Sequence, residues 1–320
     1  FKRLYGEVWL DLAEVDAPEG RRFVDAYLET EPNRLGDRFR QTLAERAEGH
    51  PLFTVELLRA MQERGDLVRD EAGRWVEGPA LDWEVLPARV EGAIGERIER
   101  MDDELRKILA VASVEGEEFT AEVISRVQGT EARELVRKLS QELHRKHRLV
   151  DAKRLRQVTS QRLALYRFRH HLFQRYLYGS LDEGERAYLH EDVGRALEAL
   201  YGGQTDEVAV QLARHFLEAG ITDKAVHYLG RAGELAAERY ANEEAVEHFC
   251  RALALLPQTD VLGRYGMLLA REQLYNLSGQ REAQRQDLAD LEELAEGLGA
   301  EQQAEVAERQ SRYARRAGDY

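Results

Sequence analysis

The sequence predicts a mainly α protein in three parts, with a single β-hairpin in the middle part and a helical solenoid at the end. Three observations carry that prediction. Proline occurs only 6 times in 320 residues, and proline is the residue that helices tolerate least. Apolar side chains recur at helical spacing through most of the chain. The period changes to strand type at one place, around Leu149–Asp151 and Leu163–Phe168.

Composition narrows the function classes. Apolar residues make up 43% and charged residues 33% of the chain, enough for buried cores with long solvated helices around them. The net charge of −14 argues against a chain that binds nucleic acid or an anionic membrane with its whole surface. One cysteine, Cys250, excludes a disulfide framework and a cysteine zinc site. No apolar run approaches the roughly 18 residues of a membrane span, and no signal peptide is present, so a cytoplasmic location is expected. The chain begins at Phe1 and stops at Tyr320 inside a helical pattern, which reads as a piece of a longer protein.

Charge is uneven. Residues 1–83 carry 12 basic and 18 acidic groups, 84–202 carry 21 of each, and 203–320 carry 13 and 21. Residues 145–175 hold ten Arg or Lys against the single acid Asp151. Such a run is either a basic face paired with acids of the same protein or an anion site for nucleotide phosphate or nucleic acid. Lys153, Arg154, Arg156 and Arg162 are its candidate contacts.

In residues 1–83, Val8-Trp9-Leu10 reads as a short strand. Helices follow over Pro18–Glu31, with Phe23, Ala26, Tyr27 and Leu28 as its stripe, and over Asp37–Ala47, with Phe39, Leu43 and Ala47. Gly49 can end the second helix and Pro51 can open a third, Leu52–Glu63, because the first helical position needs no amide hydrogen. Physical chemistry alone makes Gly49-His50-Pro51 helix punctuation.

Residues 84–202 have the order of a winged helix. Leu86, Val90, Ile94 and Ile98 form one buried stripe. Helices follow over Asp103–Ser113, from Phe119 to Val127 with Thr120 as N-cap, and over Glu131–Arg145. Strands Leu149–Ala152 and Leu163–Phe168 flank a basic loop, Lys153–Arg162, the wing. Helices His171–Leu181 and Glu183–Leu200 close the segment.

Residues 203–320 read as tetratricopeptide-type repeats. Such repeats put small residues where antiparallel helices touch, and Ala245, Phe249, Ala252 and Pro257 fit the pattern, with Leu229 and Gly233 upstream. The next unit is Leu262–Leu277 and Arg281–Glu296, and a third starts near Glu301. Ala283 lies 38 residues after Ala245, and Gly318 lies 39 after Gly279. Each hairpin buries its face only by stacking on the next, so the array is expected to continue past Tyr320.

Several chemistries fall away. The chain has no Gly-x-x-x-x-Gly-Lys-Ser/Thr loop, no Gly-x-Gly-x-x-Gly and no Gly-x-Ser-x-Gly. His144 and His147 share a helical face without a third ligand, so no metal site is expected. His170-His171, beside Arg169, sits at a strand-to-helix junction, where capping or burial is the ordinary role. Glu117-Glu118 and Asp102-Asp103 lie on charged helix surfaces and are not read as catalytic.

The order of parts resembles the STAND signal-transduction ATPases, relatives of NB-ARC and NACHT proteins and of the bacterial maltose-regulon activator type. Glu48-Gly49-His50-Pro51-Leu52-Phe53 with Glu56-Leu57-Leu58 resembles their Gly-Asn-Pro-Leu-Phe signature. Leu86–Val90 and Ala110–Phe119 look like the start of their winged-helix region, and Tyr166-Arg167-Phe168-Arg169-His170-His171-Leu172 is similar to their Phe-x-Phe-x-His-x-Leu run. The resemblance spans essentially the whole chain. It implies that residues 1–83 are a helical lid subdomain with a remnant of the ATPase core, 84–202 the winged-helix domain and 203–320 the sensor repeats. It also implies that Pro51 packs by the adenine, that His170 senses the phosphates, and that Arg169 beside it supplements them. His50 stands where asparagine is usual in the family.

The expected function is therefore regulatory: ATP or ADP with Mg²⁺ is held only in a full-length protein whose P-loop core precedes Phe1, and this chain alone is not an enzyme. It closes over that core, and a protein trigger or effector binds the repeats. Two other classes compete. One is a winged-helix DNA-binding transcriptional regulator with a repeat sensor, supported by the basic wing but opposed by Glu131, Glu134 and Glu142 on the helix that would enter the groove. The other is a non-catalytic protein–protein scaffold.

Overall fold

The computed structural model describes residues 17–47, 50–79, 81–83, 90–158 and 161–317. The expected strand Val8–Leu10, the helix stop at Gly49, Leu86 and Pro87, and the turn at Gly318 lie outside the described residues. The fold is mainly helical with a few small strands, and it divides into two compact units, residues 1–107 and 108–320.

The first unit contains α1 (Ala17–Leu28), α2 (Asp37–Arg46), α3 (Pro51–Arg64), a hairpin of β1 (Leu67–Arg69) and β2 (Trp75–Glu77), and α4 (Val90–Glu99). Val24, Leu28, Phe39, Leu43, Leu57 and Met61 form one core, with Trp75 and Trp83 packed against it. The hairpin was not legible in the sequence because each strand is three residues long. Its turn chemistry explains it. The Asp70 carboxylate accepts from the backbone amides of Ala72 and Arg74, each at 2.9 Å, and Gly73 supplies the left-handed residue (φ 73°).

In the second unit, which begins within α5 (Asp103–Glu115), come β3 (Glu118–Thr120), α6 (Ala121–Gln128), α7 (Ala132–Lys138), β4 (Val150–Val158) and β5 (Gln161–Phe168). The strands make an antiparallel sheet in the order β3-β5-β4. Phe119, Tyr166 and Phe168 stack across its inner face. Three sequence expectations need correction here. Phe119 and Thr120 are strand, not helix, and Thr120 precedes α6 without a side-chain cap. The single helix expected over Glu131–Arg145 changes after Lys138 into a π-helical turn, Leu139–Lys146. Lys153, Arg154 and Arg156 lie in β4 rather than in a loop, because the ladder resumes past a bulge after Ala152 and runs to Val158 opposite Gln161. A polar run shows only that a face is solvated. The backbone pairs regardless, and long basic side chains stand off an exposed strand at little cost.

After α8 (His171–Ser180) and α9 (Glu183–Tyr201), a 3₁₀ segment (Gly202–Val208) leads into α10 (Ala209–Glu218). The solenoid follows as α11 (Thr222–Glu238), α12 (Asn242–Leu255), α13 (Val261–Ser278), α14 (Arg281–Leu298) and α15 (Ala300–Ala317). The same turn recurs three times: a left-handed residue (Gly220, Tyr240, Gly279) and then a residue near ψ 70° (Ile221, Ala241, Gln280) before the helix begins. Counted from that turn, Ala225, Ala245 and Gln284 occupy matching positions, and all three are buried. The repeat register therefore falls on Gln284, not on the half-buried Ala283. A glutamine can sit there because its amide donates to Glu272 at 2.6 Å and accepts from Arg281 at 2.8 Å.

Close helix approach depends on Gly233. A Cβ there would meet the Phe249 ring at 2.8 Å. Gly233→Val should cost about 2 kcal/mol, since overpacking outweighs the gain in helix propensity. Urea unfolding of the variant measures it, and an unchanged midpoint would contradict the packing described.

Candidate functional site

Pro51 opens α3 and is buried. His50 caps that helix: its Nδ1 accepts from the Phe53 amide at 3.4 Å, while the Thr54 hydroxyl and amide both donate to its carbonyl oxygen. An imidazole nitrogen therefore does the acceptor's work that an asparagine oxygen does at an N-cap. One turn further, Glu56 is buried and receives Arg97 of α4 through one guanidinium nitrogen, at 2.6 and 2.5 Å from the two carboxylate oxygens. Burial is the largest influence on Arg97 and lowers its pKa against the raising effect of Glu56. This pair ties α3 to α4.

His170 caps α8, its Nδ1 accepting from the Leu172 amide at 3.2 Å. In the neutral ring that contact places the proton on Nε2. The His171 ring stacks on it at 4.5 Å. Arg169 is ion-paired with Asp151 at 3.0 Å, and Asp151 also meets His144 at 3.3 Å. His144 accepts its place from the sheet: its Nδ1 lies 2.9 Å from the Val150 carbonyl oxygen, a structural role. Pro51 belongs to the first unit and His170 and Arg169 to the second.

The basic run splits in two. Arg156 is paired with Glu207 at 2.5 Å and lies over the Tyr201 ring, and Arg167 is paired with Glu117 at 3.2 Å. Lys153, Arg154 and Arg162 are exposed and carry no ion pair among the described residues. On α7, Lys138 is paired with Glu134 at 3.3 Å and Arg137 lies 3.9 Å from the same carboxylate.

One constellation has no signature in the sequence. Tyr178 of α8, His190 of α9 and Arg214-His215 of α10 form a hydrogen-bonded chain. The Tyr178 hydroxyl lies 3.0 Å from His190 Nε2, the two Nδ1 atoms lie 2.9 Å apart, and Arg214 donates to His215 Nε2 at 3.3 Å. Because arginine can only donate, the proton of His215 is on Nδ1 and that of His190 on Nε2, so the chain runs one way from Arg214 to Tyr178. Burial first, and Arg214 second, hold both rings neutral: His190 falls to about 4, and His215 lies well below its usual value. Among the described residues no group of His, Cys, Asp and Glu could hold a metal ion, and no helix is long and apolar enough to cross a membrane.

No family model and no curated protein matches the chain. Among solved structures, the chain is similar at 12% identity to a signal transduction ATPase with numerous domains (STAND) that has a tetratricopeptide repeat sensor, from Pyrococcus horikoshii. The match covers 93% of this chain and has a TM-score of 0.32, and the chain spans 44% of the length of that protein.

Proposed function

We propose that this chain is the regulatory and sensing part of a STAND ATPase. In this reading residues 1–83 act as the lid and 84–202 as the winged-helix domain over a nucleotide-bound core, and the repeats of 203–320 receive a protein trigger. The observation that carries the reading is the order of parts: a Pro-initiated helix behind a His cap, then a three-helix unit with a three-stranded sheet, then stacked helical hairpins. The chain alone supplies no phosphate-cradling loop and is not an ATPase. ATP or ADP with Mg²⁺ belongs to the core of the longer protein.

Each residue has a defined part. Pro51, buried at the start of α3, is the residue assigned to pack by the base in this reading. His170 carries its proton on Nε2 and so donates to an anion, next to the amide-rich start of α8, where negative charge is favoured. Arg169 would divide its charge between Asp151 and the phosphate. Closed and open forms then differ by whether the nucleotide bridges these groups.

The test uses the longer protein. His170→Asn keeps an N-cap acceptor for Leu172 but removes the imidazole donor. We expect ADP retention through desalting to fall about tenfold, the size of one charge-assisted hydrogen bond, with an unchanged melting temperature. Unchanged retention, or ATP turnover by the 320-residue chain alone, would overturn the proposal.

A further inference from the structure

At the end of α5 lies a cavity of about 460 Å³, within the 300–1,000 Å³ usual for small-molecule sites. One wall is Glu115–Glu118. The other is Arg214 of α10 with His248 and Arg251 of α12. All of it belongs to the second unit.

The charges around it can be assigned one by one. Arg214 donates to the carbonyl oxygens of Val114 and Glu115, at 3.3 and 2.5 Å, and so caps the C-terminus of α5 while keeping its charge at the cavity. Glu115 accepts from the Thr120 amide at 3.0 Å, and burial pushes its carboxyl up to about 8, which leaves it neutral near pH 7. Glu117 is spent on Arg167. Arg251 is exposed and has no ion pair among the described residues. Arg214 and Arg251 are the cations of the lining, and Glu118, exposed at the rim, has no ion pair among the described residues.

The second observation is His248. It is 6% exposed, it lines the cavity, and both ring nitrogens are buried without a hydrogen-bond partner. The nearest carboxylate, Glu244, is 3.6 Å from Nε2, beyond hydrogen-bond range. Buried polar groups in native proteins are almost always satisfied, so an imidazole orphaned at a cavity wall points to a missing partner.

We propose that this cavity binds a small organic anion. Its carboxylate or phosphate lies between the Arg251 and Arg214 guanidinium groups and completes the hydrogen bonding of His248, and Glu118 faces its hydroxyl or ammonium groups. Guanidinium suits both anion types, since its planar fork matches two oxygens at once. A ligand held here touches the start of the sheet on one side and the first solenoid helices on the other, so it fastens the two together. The inference stands on the second unit alone and does not require the ATPase reading.

Titration calorimetry of the 320-residue chain tests it with three probes: inorganic phosphate, glucose 6-phosphate and L-glutamate. We expect one of the two organic anions to bind at one site with submillimolar affinity; the pair separates phosphate from carboxylate recognition. Arg251→Ala changes an exposed residue and should weaken that binding at least tenfold without altering the melting temperature. His248→Phe keeps the volume, removes both nitrogens and should weaken it likewise. Absence of binding by all three probes at millimolar concentration overturns the proposal. So does binding that survives Arg251→Ala, which would place the anion elsewhere, at Lys153 and Arg154 for instance.

Discussion

Arg97→Met should destabilise the protein by about 3 kcal/mol, because it strands the Glu56 carboxylate in the core of the first unit. Glu56 and Arg97 are 4% and 7% exposed, and the charges satisfy each other through two short contacts. Removing one partner leaves a charge whose desolvation is no longer offset. Arg59, 3.8 Å from the same carboxylate, is too distant for a hydrogen bond and recovers only part of the loss. The double variant Glu56→Leu/Arg97→Met should return to within about 1 kcal/mol of the parent, since an apolar pair of similar volume often replaces a buried ion pair without loss. A urea double-mutant cycle measures both numbers. A single variant as stable as the parent would show that the pair is not buried in solution.

The second large effect is a stability maximum near pH 6.5 for the unit containing the histidine chain. His190 and His215 have folded pKa values below their unfolded value, so in mild acid the unfolded chain binds protons that the native chain refuses. Their stabilisation is full above about pH 6.5 and is lost as pH falls; His190, buried, contributes about 3 kcal/mol between pH 6.5 and 4. Glu115 acts in the opposite sense. Its folded pKa is raised to about 8 from 4.5, so its contribution is full below pH 4.5 and is lost as pH rises through 8. On the acid side the two imidazoles outweigh Glu115 and Asp287, whose carboxyl burial also raises, and on the alkaline side Glu115 sets the slope. Melting temperatures from pH 4 to 9 for the parent, His190→Gln and Glu115→Gln would read this directly. His190→Gln should flatten the acid flank and Glu115→Gln the alkaline one. Flanks that neither substitution alters would refute the assignment.

The regulatory reading and the anion cavity also make different demands. The first needs an ATPase core and His170; the second needs only Arg251 and His248. A protein that lost ADP with His170→Asn yet bound no small anion would support the one and reject the other.

Much of the fold was legible because its determinants are local. Helix positions followed from apolar spacing and from Pro51, and the solenoid from Ala245, Phe249 and Gly233. The basic run at 145–175 was visible as composition, but which of its members are spent was not. Arg156 is neutralised by Glu207, 51 residues away, and Arg167 by Glu117, 50 residues away. The short hairpin at Leu67–Glu77 escaped because three residues hold too little pattern to show a period. Gln284 broke the expected repeat because a buried glutamine is tolerable only where Glu272 and Arg281 complete it, and those partners are set by packing.

The sequence by itself determined where most helices lie, which faces are apolar and that the last third repeats, since capping, spacing and turn chemistry act over a few residues. Only the tertiary structure decided the proton order from Arg214 to Tyr178, the upward shift of the Glu115 carboxyl and the orphaned ring of His248. Those depend on distance and desolvation between residues far apart in the chain, and a linear pattern holds neither quantity.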